Sequence, residues 1–228
     1  RVENIVVPMT SIRDGVLTEM AQLISGQKKT DVSKQVLNSV RHLAEKYEYD
    51  KAHAQCVSSL SMKLFDLLQK DHGMSSRERL LLEVSAILHD IGAYISPSGH
   101  HRHSSYIIDS SEIFGLRKSD CNVVSNVVRY HRKTGPKQSH VAYMSLPKFE
   151  RANVSKMAAI LRVADALDQS HQQKIKQFTL EQTDKAYTIW VEHDAGDISS
   201  ERKSVEEKGR FFADTYGLPI ILRRKVLR

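Results

Sequence analysis

The stretch Leu81-Leu82-Glu83-Val84-Ser85-Ala86-Ile87-Leu88-His89-Asp90-Ile91-Gly92 constrains the fold of this chain more than any other. A run this dense in apolar residues reads as a helix buried on most sides. It ends in two adjacent polar residues, His89 and Asp90, and then in Gly92, which reads as a helix-stop residue. An unpartnered buried carboxylate is costly, so Asp90 requires a cation, either a side chain or a metal. Taken alone, the dipeptide reads as a capped helix end with a solvated Asp and a core His.

An earlier helix changes that balance. His53 opens it, and Cys56, Val57, Leu60, Leu64 and Leu67 follow at three- and four-residue spacing, which puts His53 on the buried face. A short polar turn around Asp71–Ser76 joins the two helices, so they are expected to pack antiparallel, with His53 at the end that carries His89. Farther on, Leu161-Arg162-Val163-Ala164-Asp165-Ala166-Leu167-Asp168 lies in another apolar helix. Asp165 shares a face with Ala158 and Leu161 and points inward. Arg162 and Asp168 flank it and read equally as a surface pair or as site residues. His53, His89, Asp90 and Asp165 are donors of the kind that hold a divalent metal with open positions for water and substrate. Such an ion makes water a nucleophile at neutral pH, which suits hydrolysis of phosphate esters and anhydrides.

The order H…HD…D on successive helices, from about Thr30 to Gln172, resembles the HD phosphohydrolase superfamily. The resemblance implies that His53, His89, Asp90 and Asp165 are the metal ligands, with Asp90 in the catalytic role. It also implies that a second ion would fall to His103 and His131, where two-metal members carry extra histidines. The ion implied is divalent: Mn, Mg, Fe, Ni or Zn.

The chain is long enough for one large domain or two smaller ones, at 228 residues with 40% hydrophobic content. No apolar run reaches membrane-span length and no signal peptide is visible. Cys56 and Cys121 fall in apolar helix patterns and read as reduced core thiols, as expected of a cytoplasmic protein. The formal charge of +7 suits an anionic partner: phosphate chains, nucleotides or nucleic acid. It can equally be solvated surface. The first residue is Arg, which suggests a fragment.

Asn4-Ile5-Val6-Val7-Pro8 reads as a strand, and Ile12–Ile24 as a helix capped by Thr10 or Ser11. A further helix is expected from Thr30 or Asp31 to about Tyr47. Past Gly92, Pro97 and Gly99 break the chain and His103 is expected to open the next helix, with His100, His101 and His103 near the site. Ser119 is read as the cap of a helix ending near His131. The basic loop Arg132-Lys133-Thr134-Gly135-Pro136-Lys137 follows, either offsetting the helix dipole or clamping phosphate oxygens. His103, Arg132 and Lys133 are the candidate substrate-binding residues. A long helix is expected from about Lys148 to His171. After Lys174 the period becomes alternating: strands at 175–180 and 186–191, a helix from Ser199 or Ser200 to Tyr216, and a last strand at 218–222. The expected fold is mainly α: a helical bundle at 30–172 and a small β-β-α-β module at 173–228.

Ile5-Val6-Val7-Pro8…Ser11-Ile12-Arg13-Asp14-Gly15-Val16-Leu17, and the histidine-rich turn followed by Ser105-Tyr106-Ile107-Ile108, are similar to the exopolyphosphatase / guanosine pentaphosphate phosphohydrolase family. That resemblance implies that residues 1–29 are the remnant of an actin-like phosphatase domain. The parent would be a homodimer that hydrolyses polyphosphate or guanosine pentaphosphate. The glycine-rich phosphate loops of that chemistry are absent from this sequence, so the activity is not expected of this chain alone. What remains is a metal-dependent phosphohydrolase, or a non-catalytic polyanion-binding and dimerisation module. A nucleic-acid binder ranks last.

Overall fold

The computed structural model describes residues 28–193 and 195–225. The expected strand at 4–8 and helix at 12–24, and with them the actin-like remnant, lie outside the described residues. The fold is mostly helical with a small three-stranded sheet, as the sequence implied. Helix α1 spans Lys28–Glu45, α2 Lys51–Leu67, the single turn α3 Gln69–His72, and α4 Ser76–Leu88. A 3-10 turn at Ile91–Tyr94 leads to α5 (His100–Asp109), α6 (Lys118–Arg129), the short α7 (Val141–Met144) and α8 (Lys148–Ala166). The tail holds β1 (Phe178–Gln182), β2 (Tyr187–Val191), α9 (Ser199–Lys208), α10 (Arg210–Tyr216) and β3 (Ile220–Arg224).

Helix α4 is the centre of the bundle. It packs against α1, α2, α6 and α8, and Leu81, Leu82, Val84, Ala86 and Leu88 are buried. Its start is fixed locally by a capping box. The Ser75 hydroxyl accepts from the Arg77 amide, and the Glu78 carboxylate accepts from the Ser75 amide at 2.8 Å. Each fully buried Leu contributes roughly 1.5–3 kcal/mol, so α4 is held by its neighbours rather than by its own propensity.

Helix α8 ends at Ala166, five residues before the expected His171. Its C-terminal chain is captured by the buried Asp168, whose Oδ1 accepts from the Gln173 amide at 2.7 Å. His171 and Gln173 adopt left-handed backbone angles, φ 54° and 49°, a conformation that side chains disfavour and that clusters at functional sites. The expected tail helix is divided at Gly209. A Cβ there would sit 2.4 Å from the Val205 carbonyl and 3.0 Å from an Ile220 methyl. The tail is therefore β-β-α-α-β. β1 and β2 pair antiparallel (Phe178 opposite Val191), and β3 adds parallel to β2 (Tyr187 opposite Ile220). α9 and α10 pack on both β3 and α8, which fixes the tail against the bundle. Cys56 and Cys121 are free thiols.

Candidate metal centre

Five helix ends meet at one pole of the bundle. His53 stands in the first turn of α2, where its amide donates to the Asp50 carboxylate at 3.0 Å. His89 follows α4, Asp90 precedes the 3-10 turn, His100 opens α5, His131 follows α6, and Asp165 lies in the last turn of α8. The C-termini of α4, α6 and α8 bring partial negative charge to this pole, which favours cations there.

The imidazoles are oriented alike. His53 Nδ1 donates to Asp168 Oδ2 at 2.8 Å, His89 Nδ1 to the Ala86 carbonyl at 2.8 Å, His131 Nδ1 to the Val128 carbonyl at 2.6 Å, and His100 Nδ1 to the Pro97 carbonyl at 3.1 Å. Carboxylates and carbonyls only accept, so Nδ1 carries the proton in each ring and Nε2 faces the centre. There Asp90 lies between two sets. Its Oδ2 is 4.0 Å from His53 Nε2 and 3.6 Å from His89 Nε2; its Oδ1 is 3.0 Å from His100 Nε2 and 3.5 Å from His131 Nε2. Asp165 Oδ1 is 3.6 Å from His53 Nε2. His53 Nε2 and His89 Nε2 are buried with no hydrogen-bond partner. Orphaned buried polar atoms are rare, and two of them facing one small space beside two carboxylates fit a metal ion. His53, His89 and Asp165, and separately Asp90, His100 and His131, lie close enough together to share one.

The charges match this geometry. Burial opposes protonation of His53, but the neighbouring carboxylates of Asp165 and Asp168 carry its pKa up to about 9. An ion at that nitrogen therefore displaces a proton. Burial, then the charge of His89, holds His131 down to about 3, so its ring is neutral, with Nε2 3.3 Å from His100 Nε2. Burial pushes the Asp90 carboxyl up, but the neighbouring His89 and His100 more than offset it and hold it well below the usual carboxylate range. Asp165 is held low against burial by Lys208 and His53.

The structure brings His53, His89, Asp90, Asp165 and His131 together, but not His103. Helix α5 begins at His100, three residues before the start expected at His103, so His100 faces the centre and His103 lies half-buried outside these groups. Arg132 reaches the rim, its Nη1 3.2 Å from His100 Nε2 and 3.3 Å from Nδ1, so the guanidinium rests against the ring. Lys133 is exposed beside it, with φ 58°. Arg162 and Asp168 form no surface pair; both are buried. Arg162 donates to the Tyr130 carbonyl at 2.6 Å and lies over the Phe211 ring, which holds the end of α6 beside His131.

Two residues outside the expected ligand set orient it. Asp168, which reads from sequence equally as a surface or a site residue, is one, and its spacing from Asp165 puts both on one helix face. Lys208 is the other. From α9 it donates to Asp165 Oδ2 at 2.6 Å and to Gln169 Oε1 at 2.9 Å. Nothing in the charged sequence of α9 marks it. Asp168→Ala is expected to release the His53 ring and weaken divalent-metal binding about 10- to 100-fold, as loss of such a supporting group does elsewhere. Titration calorimetry with Mn²⁺ checks this, and Asp168→Asn, which keeps an acceptor, should fall between.

Fold and centre together define a helical bundle with a histidine–aspartate pole and an α+β tail. Residues 37–202 match the family model for Ppx/GppA phosphatase, domain III, and the chain belongs to that family. It is 24% identical over 162 residues to a protein of Photobacterium profundum named guanosine-5'-triphosphate,3'-diphosphate pyrophosphatase, covering 71% of this chain and 30% of that one. A protein of the same name from Aeromonas hydrophila is 28% identical over 151 residues, covering 64% of this chain and 29% of its own length. The chain thus spans less than a third of these relatives. Among the described residues, no helix is long and apolar enough to cross a membrane.

Proposed function

We propose that the pole is a divalent-metal site of phosphohydrolase type. His53, His89, Asp90 and Asp165 would hold one ion, and His100 and His131, sharing Asp90, a second. The observation that carries this reading is the common orientation of the four rings, each anchored through Nδ1 with Nε2 turned to the two carboxylates. An imidazole-rich donor set suits Mn, Fe, Ni or Zn better than Mg. When bound, such an ion neutralises phosphoryl oxygens and lowers the pKa of water. Asp90, ionised throughout the physiological range, suits ligation and is a weak general base. Arg132 at the rim and Lys133 beside it would steady the anion as fork and point charge.

We read residues 30–172 as the HD-type domain, 173–228 as its tail and 1–29 as the end of an actin-like domain. The parent would be a cytoplasmic homodimer acting on phosphoanhydrides such as polyphosphate or guanosine pentaphosphate. A second reading, a polyanion-binding and dimerisation module whose centre is structural, is favoured by Lys208. Its ammonium already balances Asp165 without an ion.

Phosphate release from tripolyphosphate and from guanosine pentaphosphate, with Mn²⁺ and with chelator, separates the two readings. The first expects metal-dependent release that His89→Ala abolishes. Bound ion without release from either compound would leave the second.

A further inference from the structure

Past the end of α8, His171 holds a backbone that its residue type disfavours. Its φ is 54°, an angle that glycine adopts freely and histidine does not. A chain reversal alone would be served by glycine, and such strain persists where the surroundings over-determine it. Here the surroundings are the metal centre. The His171 ring stacks on the His53 ring, with centroids 3.7 Å apart and planes 13° apart. His171 Nδ1 donates to Asp50 Oδ2 at 2.9 Å, while Asp50 Oδ1 accepts from the His53 amide at 3.0 Å. One carboxylate thus holds both the His171 ring and the first turn of the helix that carries His53. A carboxylate only accepts, so Nδ1 carries a proton and the lone pair of the neutral ring is on Nε2. His53 is anchored in the same way on Asp168. The carboxylate–histidine pairing that supports metal ligands therefore occurs twice, side by side. The two rings differ in exposure: the His171 side chain is 44% exposed, that of His53 1%. A nitrogen of His171, a nitrogen of His53 and an oxygen of Asp90 lie within 4.8 Å of one another, close enough to share an ion.

We propose that His171 is a further ligand, on the solvent side, of the ion that His53, His89, Asp90 and Asp165 would hold, with Asp50 as its supporting carboxylate. The proposal rests on the metal reading of this pole. It gives the strained backbone a purpose, because φ 54° is what carries the His171 ring over His53. It also bears on selectivity. A third imidazole favours Ni²⁺ and other late divalent ions over Mn²⁺, and disfavours Mg²⁺ further.

The test is calorimetric titration of the whole chain with Ni²⁺ and with Mn²⁺, alongside the visible spectrum of the Co²⁺-loaded chain. Three variants are compared. His171→Ala removes the ring, and His171→Phe keeps a ring to stack on His53 but no nitrogen. Asp50→Ser keeps a helix cap and loses the partner of His171. His171→Ala and His171→Phe are each expected to lower Ni²⁺ affinity about 10- to 100-fold, the scale on which even supporting groups act. Mn²⁺ affinity should fall less, and the Co²⁺ spectrum should shift with the lost nitrogen donor. Asp50→Ser should give a smaller fall in the same order. Wild-type affinity in His171→Phe would overturn the assignment and leave His171 as packing on His53. Equal falls for both ions with an unchanged Co²⁺ spectrum would overturn it too, because a structural loss does not distinguish ions. Both of those results leave the metal reading standing; failure of the wild-type chain to bind any of the three ions would defeat that reading and the proposal together.

Discussion

Gly92→Ala should destabilise the fold by about 3 kcal/mol or more, the upper range for forcing a methyl into a packed interior. A Cβ at Gly92 would lie 2.3 Å from the His100 carbonyl oxygen, 2.3 Å from the Ser104 amide and 2.8 Å from the His103 carbonyl carbon. All three are backbone atoms, so no rotamer change relieves the clash and the start of α5 must move. The Gly92 amide also donates to the Ser104 hydroxyl at 2.8 Å, which ties the turn to that helix. His100 rides on the displaced segment, so the Asp90–His100 contact at 3.0 Å should open as well. Urea unfolding in chelator measures the stability loss apart from any metal effect. A midpoint within error of the wild type would show that α5 is not held where the close approach requires.

Asp90→Ala should abolish divalent-metal retention, with affinity lower by at least about 100-fold, because its two oxygens face separate pairs of histidines. Losing a supporting group typically costs 10–100-fold, and a shared ligand should cost no less. Asp165→Ala should cost less at the His100–His131 set, which it does not face. Elemental analysis of the purified variants, with calorimetric titration, reads both. Retention of the full wild-type metal content by Asp90→Ala would remove Asp90 from the centre.

Particular residues show why part of this was legible in the sequence. His53 and Asp165 are legible because each lies on an apolar helix whose period fixes its inward face, and His89 and Asp90 because they directly follow such a helix. The short polar turn then fixes which helix ends meet. The start of α5 could not be fixed to the residue. Gly99 adopts φ 80° and lets the helix begin at His100, but a loop rich in Ser, Pro, Gly and His carries no stronger start signal. That three-residue error exchanged His100 for His103. Gly92, placed just past the apolar run, reads as a helix stop, whereas α4 ends at Leu88 and the glycine serves the approach of α5. A contact made by backbone far along the chain leaves no local pattern. Lys208 illustrates the same limit: its partner Asp165 is distant in sequence, and only the docking of α9 on α8 joins them.

The central claim is that five helix ends converge to hold a cation. Anomalous diffraction from crystals of the chain soaked in Mn²⁺ tests it most directly. The account predicts a peak enclosed by His53 Nε2, His89 Nε2, Asp90 and Asp165, with any second peak between Asp90, His100 and His131. An empty centre at saturating Mn²⁺, with Lys208 still closed on Asp165, would contradict it.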